Sequence, residues 1–203
     1  MKNVIKNTKK GILMVAMFTT ILSFANEGSF FSIKNEATKT SMTLKKVKRG
    51  NNIYIKDNNG IIIFNEQIEA NGVYRKGFDL TSLPNGQYTF EVDKYLEINT
   101  IPFVVSQNKV VFDKEKEKVT YKPFIRVEDN VVYVTKLSLD KKPLNINIYY
   151  KDDIYNEDIE LIHSEKIEDT KTIERIYKLD GLERGTYKIV IDSEDRQFVK
   201  VVD

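Results

Sequence analysis

The phrase Leu-x-x-Leu-x-x-Gly-x-Tyr occurs twice in this chain, at Leu80, Leu83, Gly86 and Tyr88 and again at Leu179, Leu182, Gly185 and Tyr187. Tyr88 and Tyr187 set the copies 99 positions apart, and each is followed by alternating apolar residues (Phe90 and Val92; Ile189 and Ile191). The copies also agree upstream, where Glu66 and Ile68 precede Glu165 and Ile167 by the same offset. A repeat of that length means two copies of one small unit, each with its own core.

The unit is made of strands. Beyond residue 26 a helical period is absent, and short runs rich in Ile, Val, Tyr and Phe alternate with polar residues between Asn, Asp and Gly clusters. The pattern predicts strands over 30–33, 41–47, 52–56, 61–68, 73–80, 87–92 and 100–105 in the first half. In the second it predicts 122–127, 131–138, 144–150, 159–167, 172–179, 186–191 and 197–202. Seven short strands per half are the pattern of an all-β fold of two tandem immunoglobulin-like antiparallel sandwiches. The period of two turns Tyr88, Phe90 and Val92 toward one core and Tyr187, Ile189 and Ile191 toward the other. Glu91 and Val190 then point away. Tyr88 and Tyr187 are expected to be tyrosine corners, with hydroxyls bonded to backbone a few residues upstream. Gly86 and Gly185 are expected at a sharp turn with positive φ.

At the N-terminus Lys2, Lys6, Lys9 and Lys10 precede an uncharged apolar run from Gly11 to Ala25, which ends Ser23-Phe24-Ala25. Basic flank, apolar run and small residues read as a signal peptide over 1–25, cut after Ala25. The run is too short for a stable membrane anchor and is broken by Thr19, Thr20 and Ser23. Its removal leaves 28 Lys plus Arg against 30 Asp plus Glu, a formal charge of −2. Such a balance offers no attraction to nucleic acid or anionic membranes. The expected organisation is then a sandwich over 26–112, a charged linker over 113–118 and a second sandwich over 119–203. The linker, Asp-Lys-Glu-Lys-Glu-Lys, reads as a solvated connector.

The residues for catalysis are scarce. The chain has no Cys and one His, His163, in a strand position that matches Phe64 of the first copy. Neither a zinc site nor a Cys/His dyad can be built, and no G-x-S-x-G elbow accompanies the histidine. The reading is therefore no enzyme and no cofactor. Asp57-Asn58-Asn59-Gly60 has the opening of a calcium loop but no acid downstream, and Asn-Gly between strands is a hairpin signal. The equivalent second hairpin is longer and acidic, which makes Asp152, Asp153 and Asp158 the metal candidates of this chain, for calcium. Beside them Tyr150 and Tyr155 are the candidate binding aromatics. Tyr149 and Tyr150, being adjacent, must face opposite ways.

The stretch from Asn52 through the first copy of the phrase, with its strand, Asp-x-x-Gly hairpin, strand and Asp-Leu-x-x-Leu-x-x-Gly-x-Tyr, resembles the immunoglobulin-like modules of secreted Bacteroidetes proteins. It is also similar to the C-terminal sorting domain of type IX secretion cargo. The second copy departs from that pattern in its long acidic hairpin and in lacking a counterpart of Gly60. The resemblance implies export to the periplasm or the cell surface. The reading that follows is a non-enzymatic exported protein acting through protein or cell-surface partners, its edge strands open to strand addition. Two others stand beside it: a glycan-binding module with a calcium-assisted loop, and a type IX cargo with an atypical sorting domain.

Overall fold

The computed structural model describes residues 30–36, 39–152, 158–180 and 184–203. The expected signal peptide lies outside these residues. The first half forms β1 (Phe31–Glu36), β2 (Lys39–Val47), β3 (Asn52–Asp57), β4 (Ile62–Gln67), β5 (Gly72–Phe78), β6 (Gly86–Asp93) and β7 (Glu97–Ser106). Two four-residue strands follow, β8 (Lys109–Phe112) and β9 (Lys118–Tyr121). The second half forms β10 (Phe124–Glu128), β11 (Val131–Leu137), β12 (Leu144–Asp152), β13 (Glu160–Ile167), β14 (Thr172–Lys178), β15 (Gly185–Ser193) and β16 (Arg196–Val202).

These strands build four antiparallel sheets. In the first half β1-β2-β5 faces β4-β3-β6-β7-β8; in the second, β10-β11-β14 faces β13-β12-β15-β16. The fold is all-β and immunoglobulin-like, with the fourth strand of each half in the larger sheet. The halves keep one register: Tyr88 pairs with Phe103 on β7 as Tyr187 pairs with Val202 on β16. Each half has one apolar core. Met42, Leu44, Ile53, Phe90, Ile101 and Phe103 centre the first, and Val134, Leu144, Ile146, Ile173, Ile189 and Ile191 the second. Tyr88, Phe90 and Val92 face inward as the period of two requires.

Both tyrosine corners form. The Tyr88 hydroxyl donates to the Pro84 carbonyl at 2.8 Å, and the Tyr187 hydroxyl donates to the Asp180 carbonyl. The glycines beside them differ from expectation, since positive φ occurs at Gly50, Gly60 and Gly72 but at neither Gly86 nor Gly185. Close approach explains Gly185 instead: a Cβ there would meet the Lys151 carbonyl oxygen at 2.2 Å and the Tyr150 hydroxyl at 2.6 Å. Glu91 and Val190 also differ, because both point away from their cores and are nonetheless buried, at 2% and 6% exposure.

The run 113–118 is folded onto the first half. Phe112 and Val110 of β8 pack on the first core, and β8 pairs with β7 over Phe103–Ser106. The chain then makes a short 3-10 turn, Lys114–Lys116, with the Asp113 N–H donating to the Pro102 carbonyl at 2.9 Å. β9 returns to the same edge of β7, where Lys118 pairs with Thr100 and Tyr121 with Glu97. The expected start of the second sandwich at 119 thus falls inside a strand of the first. Four-residue strands are too short for periodicity to reveal, and the Lys/Glu alternation hides a turn closed by the Asp113–Lys116 ion pair at 2.9 Å.

Candidate contact surfaces and the junction of the halves

Tyr150 lies on the core face of β12, in line with Ile146 and Ile148, and its ring packs on Tyr187 at 4.8 Å between centroids. It belongs to the wall of the second core, and Tyr149 takes the outer face. Asp152 ends β12 opposite Gly185, and Asp158 lies just before β13. Asp153 and Tyr155 lie outside the described residues. Among the described residues no group of three or more His, Asp or Glu side chains gathers as metal ligands would.

The first hairpin is a tight turn. The Asp57 carboxylate accepts the N–H groups of Asn59 at 2.9 Å and Ile61 at 2.8 Å, and Gly60 takes φ +79. Its oxygen is thereby used within the turn. His163 stands on β13 with its ring 5.3 Å from that of Tyr177 and its Nε2 3.7 Å from Glu165. Phe64 and Phe78 hold the equivalent places, 5.4 Å apart. Beside them the Lys76–Glu66 pair is repeated as Arg175–Glu165. Burial opposes the charge on Glu165, but the Tyr177 hydroxyl and the Arg175 guanidinium outweigh it and hold the carboxyl below its ordinary range. This is one structural cluster built twice.

Among the described residues, a repeated pair of sheet edges and a cleft offer surfaces for contact. β4 and β13 are the outer strands of their sheets, and both carry adjacent apolar residues in solvent. Ile62 and Ile63 are 50% and 45% exposed; Leu161 and Ile162, at the same repeat offset, are 50% and 49% exposed. Proteins usually blunt such edges with charge or proline. Here the same bare pair stands twice. The second surface is a cleft of about 520 Å³ between the halves, walled by Tyr95, Leu96, Phe124 and Leu137. The Tyr95 and Phe124 rings meet edge-on across it at 6.2 Å.

Charges close the junction around that cleft. Glu91 on β6 accepts from Arg196 of the second half, at 3.3 Å to Oε1 and 2.6 Å to Oε2, and from Lys56 at 2.9 Å. Glu194, in the turn after β15, accepts from Lys118 of β9 and from Lys136 at 3.1 Å. Lys122 meets Asp93. Burial opposes the charged form of both glutamates. The hydrogen bonds and charges of Arg196 and Lys56 prevail at Glu91, those of Lys118 and Lys136 at Glu194, and both carboxyls titrate below the ordinary range. The side chain of Lys136 is fully enclosed. Its sequence position carries a signal, since Val132, Val134 and Lys136 are the buried phase of β11. A lysine on an inward phase needs a counter-charge. That the counter-charge is Glu194, 58 positions away, is a fact of packing.

No family model matches this chain. No curated protein matches it either. Among solved structures, the BSP domain of a biofilm associated protein shares 14% identity over 85% of this chain and 28% of its own, with a TM-score of 0.23. The human OSCAR ligand-binding domain shares 5% over 85% of this chain and 96% of its own, with a TM-score of 0.25. A structure described for neurohormone perception by the receptor tyrosine kinase Torso shares 10% over 86% and 72%, with a TM-score of 0.23. This chain thus spans little more than a quarter of the biofilm protein's length. The assignment of fold rests on strand order and register. Among the described residues no helix is long and apolar enough to cross a membrane.

Proposed function

We propose that this is an exported, non-enzymatic contact protein of two immunoglobulin-like domains, which recruits protein partners at the cell envelope through open sheet edges. The observation that carries the reading is the apolar pair Ile62 and Ile63 on β4, matched by Leu161 and Ile162 on β13. An edge strand with apolar side chains and unpaired backbone groups offers an extended partner both hydrogen bonds and apolar contact. The junction fixes the two edges relative to each other, so a partner that touches both gains from effective concentration. In this reading the first domain extends through the β8 and β9 segment, and the second begins with β10.

The test compares the protein with a variant carrying Lys at Ile62, Ile63, Leu161 and Ile162, each cross-linked on envelopes of the source cells. The expected result is a discrete adduct with the unaltered protein and its loss with the variant, at an unchanged melting temperature. Equal adducts from both would overturn the edge reading. A melting-temperature series with calcium and with glycans is expected to be flat. A rise with either would favour a glycan site at the second hairpin instead, because a ligand of the native state raises its stability.

A further inference from the structure

The near-zero overall charge of this chain is unevenly distributed. In the sheet β1-β2-β5, Phe31, Met42 and Leu44 face the first core. Directly opposite residues of neighbouring strands share a face, so the register gives the outer one. One row is Lys34, Ser41 and Gly77, and the next is Ser32, Thr43 and Arg75. Lys39 and Lys45 continue the same phase of β2 on either side. The Lys39 side chain crosses Gly77, where a Cβ would come within 3.1 Å of its Cε. Lys34, Lys39, Lys45 and Arg75 are all exposed, and Lys46, Lys48 and Arg49 carry exposed charge on around the end of β2.

Among the described residues none of these cations is in an ion pair. One acid enters the register, Glu36 opposite Lys39. The matching face of the second half is mixed instead. There Glu174 stands at the repeat offset from Arg75, and Glu128 shares a row with Lys178.

The layout selects the kind of anion. Positions on one face are about 5 Å apart across a sheet and about 7 Å apart along a strand. The cations occupy all three strands, so the charge covers an area rather than a line. The residues between them are Ser, Thr and Gly, which leaves the ammonium and guanidinium groups outermost. These rows carry no aromatic ring on which a base could stack; Tyr74 takes the opposite phase and donates to Glu66 at 3.0 Å. A broad layer of long cationic side chains matches a plane of phosphates, and each cation near an anionic lipid surface adds about fivefold in affinity.

We propose that the outer face of β1-β2-β5 docks on an anionic lipid surface, with Lys34, Lys39, Lys45 and Arg75 meeting headgroup phosphates. This goes beyond the edge reading, and vesicles hold no protein partner, so either can fail without the other.

The test is co-sedimentation of the protein, purified from its source cells, with vesicles of phosphatidylglycerol and phosphatidylcholine in equal parts. The expected result is saturable binding at low salt, release by about 0.5 M salt, and no binding to phosphatidylcholine alone. The triple variant Lys34→Ser, Lys45→Ser, Arg75→Ser is expected to bind about a hundredfold more weakly, with its melting temperature retained. A control triple, Lys171→Ser, Lys188→Ser, Lys200→Ser, removes exposed cations of the second half and changes the net charge equally. Its binding is expected to stay within about twofold of the unaltered protein. No binding, equal losses from the two triples, or binding to phosphatidylcholine alone would overturn the proposal. Retention on heparin at salt that releases the vesicles would also overturn it, by making a linear acidic polymer the occupant.

Discussion

Tyr88 and Tyr187 anchor the same corner in the two halves by different routes. Tyr88 reaches back four residues to Pro84 and Tyr187 seven, to Asp180. Gly86 has room around it, a Cβ there coming no nearer than 3.5 Å to the Tyr88 ring, whereas Gly185 is pressed against Lys151 and Tyr150. On the outer face the contrast is stronger. Glu91 is buried under a cation from the other half, and its counterpart Val190 is buried without charge. The repeated phrase thus fixes where the chain turns and leaves the contacts of each copy free to diverge. What diverged is what joins the halves and what stays open.

The largest effect expected from breaking this contrast is at the junction. Glu194→Gln leaves the enclosed Lys136 ammonium without its counter-charge, and urea unfolding should show a loss of about 3–5 kcal/mol. Glu91→Gln should cost less, about 2 kcal/mol, because Arg196 and Lys56 are partly exposed and can turn to water. Acid should act in the same direction. Both glutamates are held below the ordinary value of 4.5, so their stabilisation is complete above it and is lost as pH falls through their lowered values. Unfolding followed from pH 7 into that acid range should show stability falling, and the Glu194→Gln, Glu91→Gln double variant should lose much of that dependence.

The glycines come next. Gly185→Ala is expected to cost about 2–3 kcal/mol, since the Lys151 backbone must move to admit a methyl group. Gly86→Ala should stay below about 1 kcal/mol. Equal losses would mean that the two corners are alike after all. Removing the hydroxyls sharpens the comparison: Tyr88→Phe and Tyr187→Phe should each cost about 1 kcal/mol, the worth of one hydrogen bond. The smallest effect belongs to His163→Phe, which restores the residue of the first copy and should change stability by about 0.5 kcal/mol or less.

The strands themselves were legible. Each of the fourteen sequence-predicted segments overlaps an observed strand, because alternation between turn clusters reports a half-buried sheet directly. Two kinds of feature were not. β8 and β9 are too short to show a period, and their edge role depends on β7 lying beside them. The ion pairs of the junction join residues as far apart as Glu91 and Arg196, 105 positions, which no local pattern encodes. Glu91 illustrates why: its alternation says outward, and only the second half makes outward a buried place. At the site level Tyr150 was the hardest to place, since the core face of β12 takes it and the outer face takes its neighbour Tyr149.

The closed edge of β7 and the open edge of β16 can be compared directly by site-resolved amide hydrogen exchange on the full chain at low concentration. The expected result is strong protection at Thr100 and Val104, which lie under β9 and β8. Exchange at Val199 and Val201 should be faster by about a hundredfold or more. Equal protection at the two edges would contradict the account.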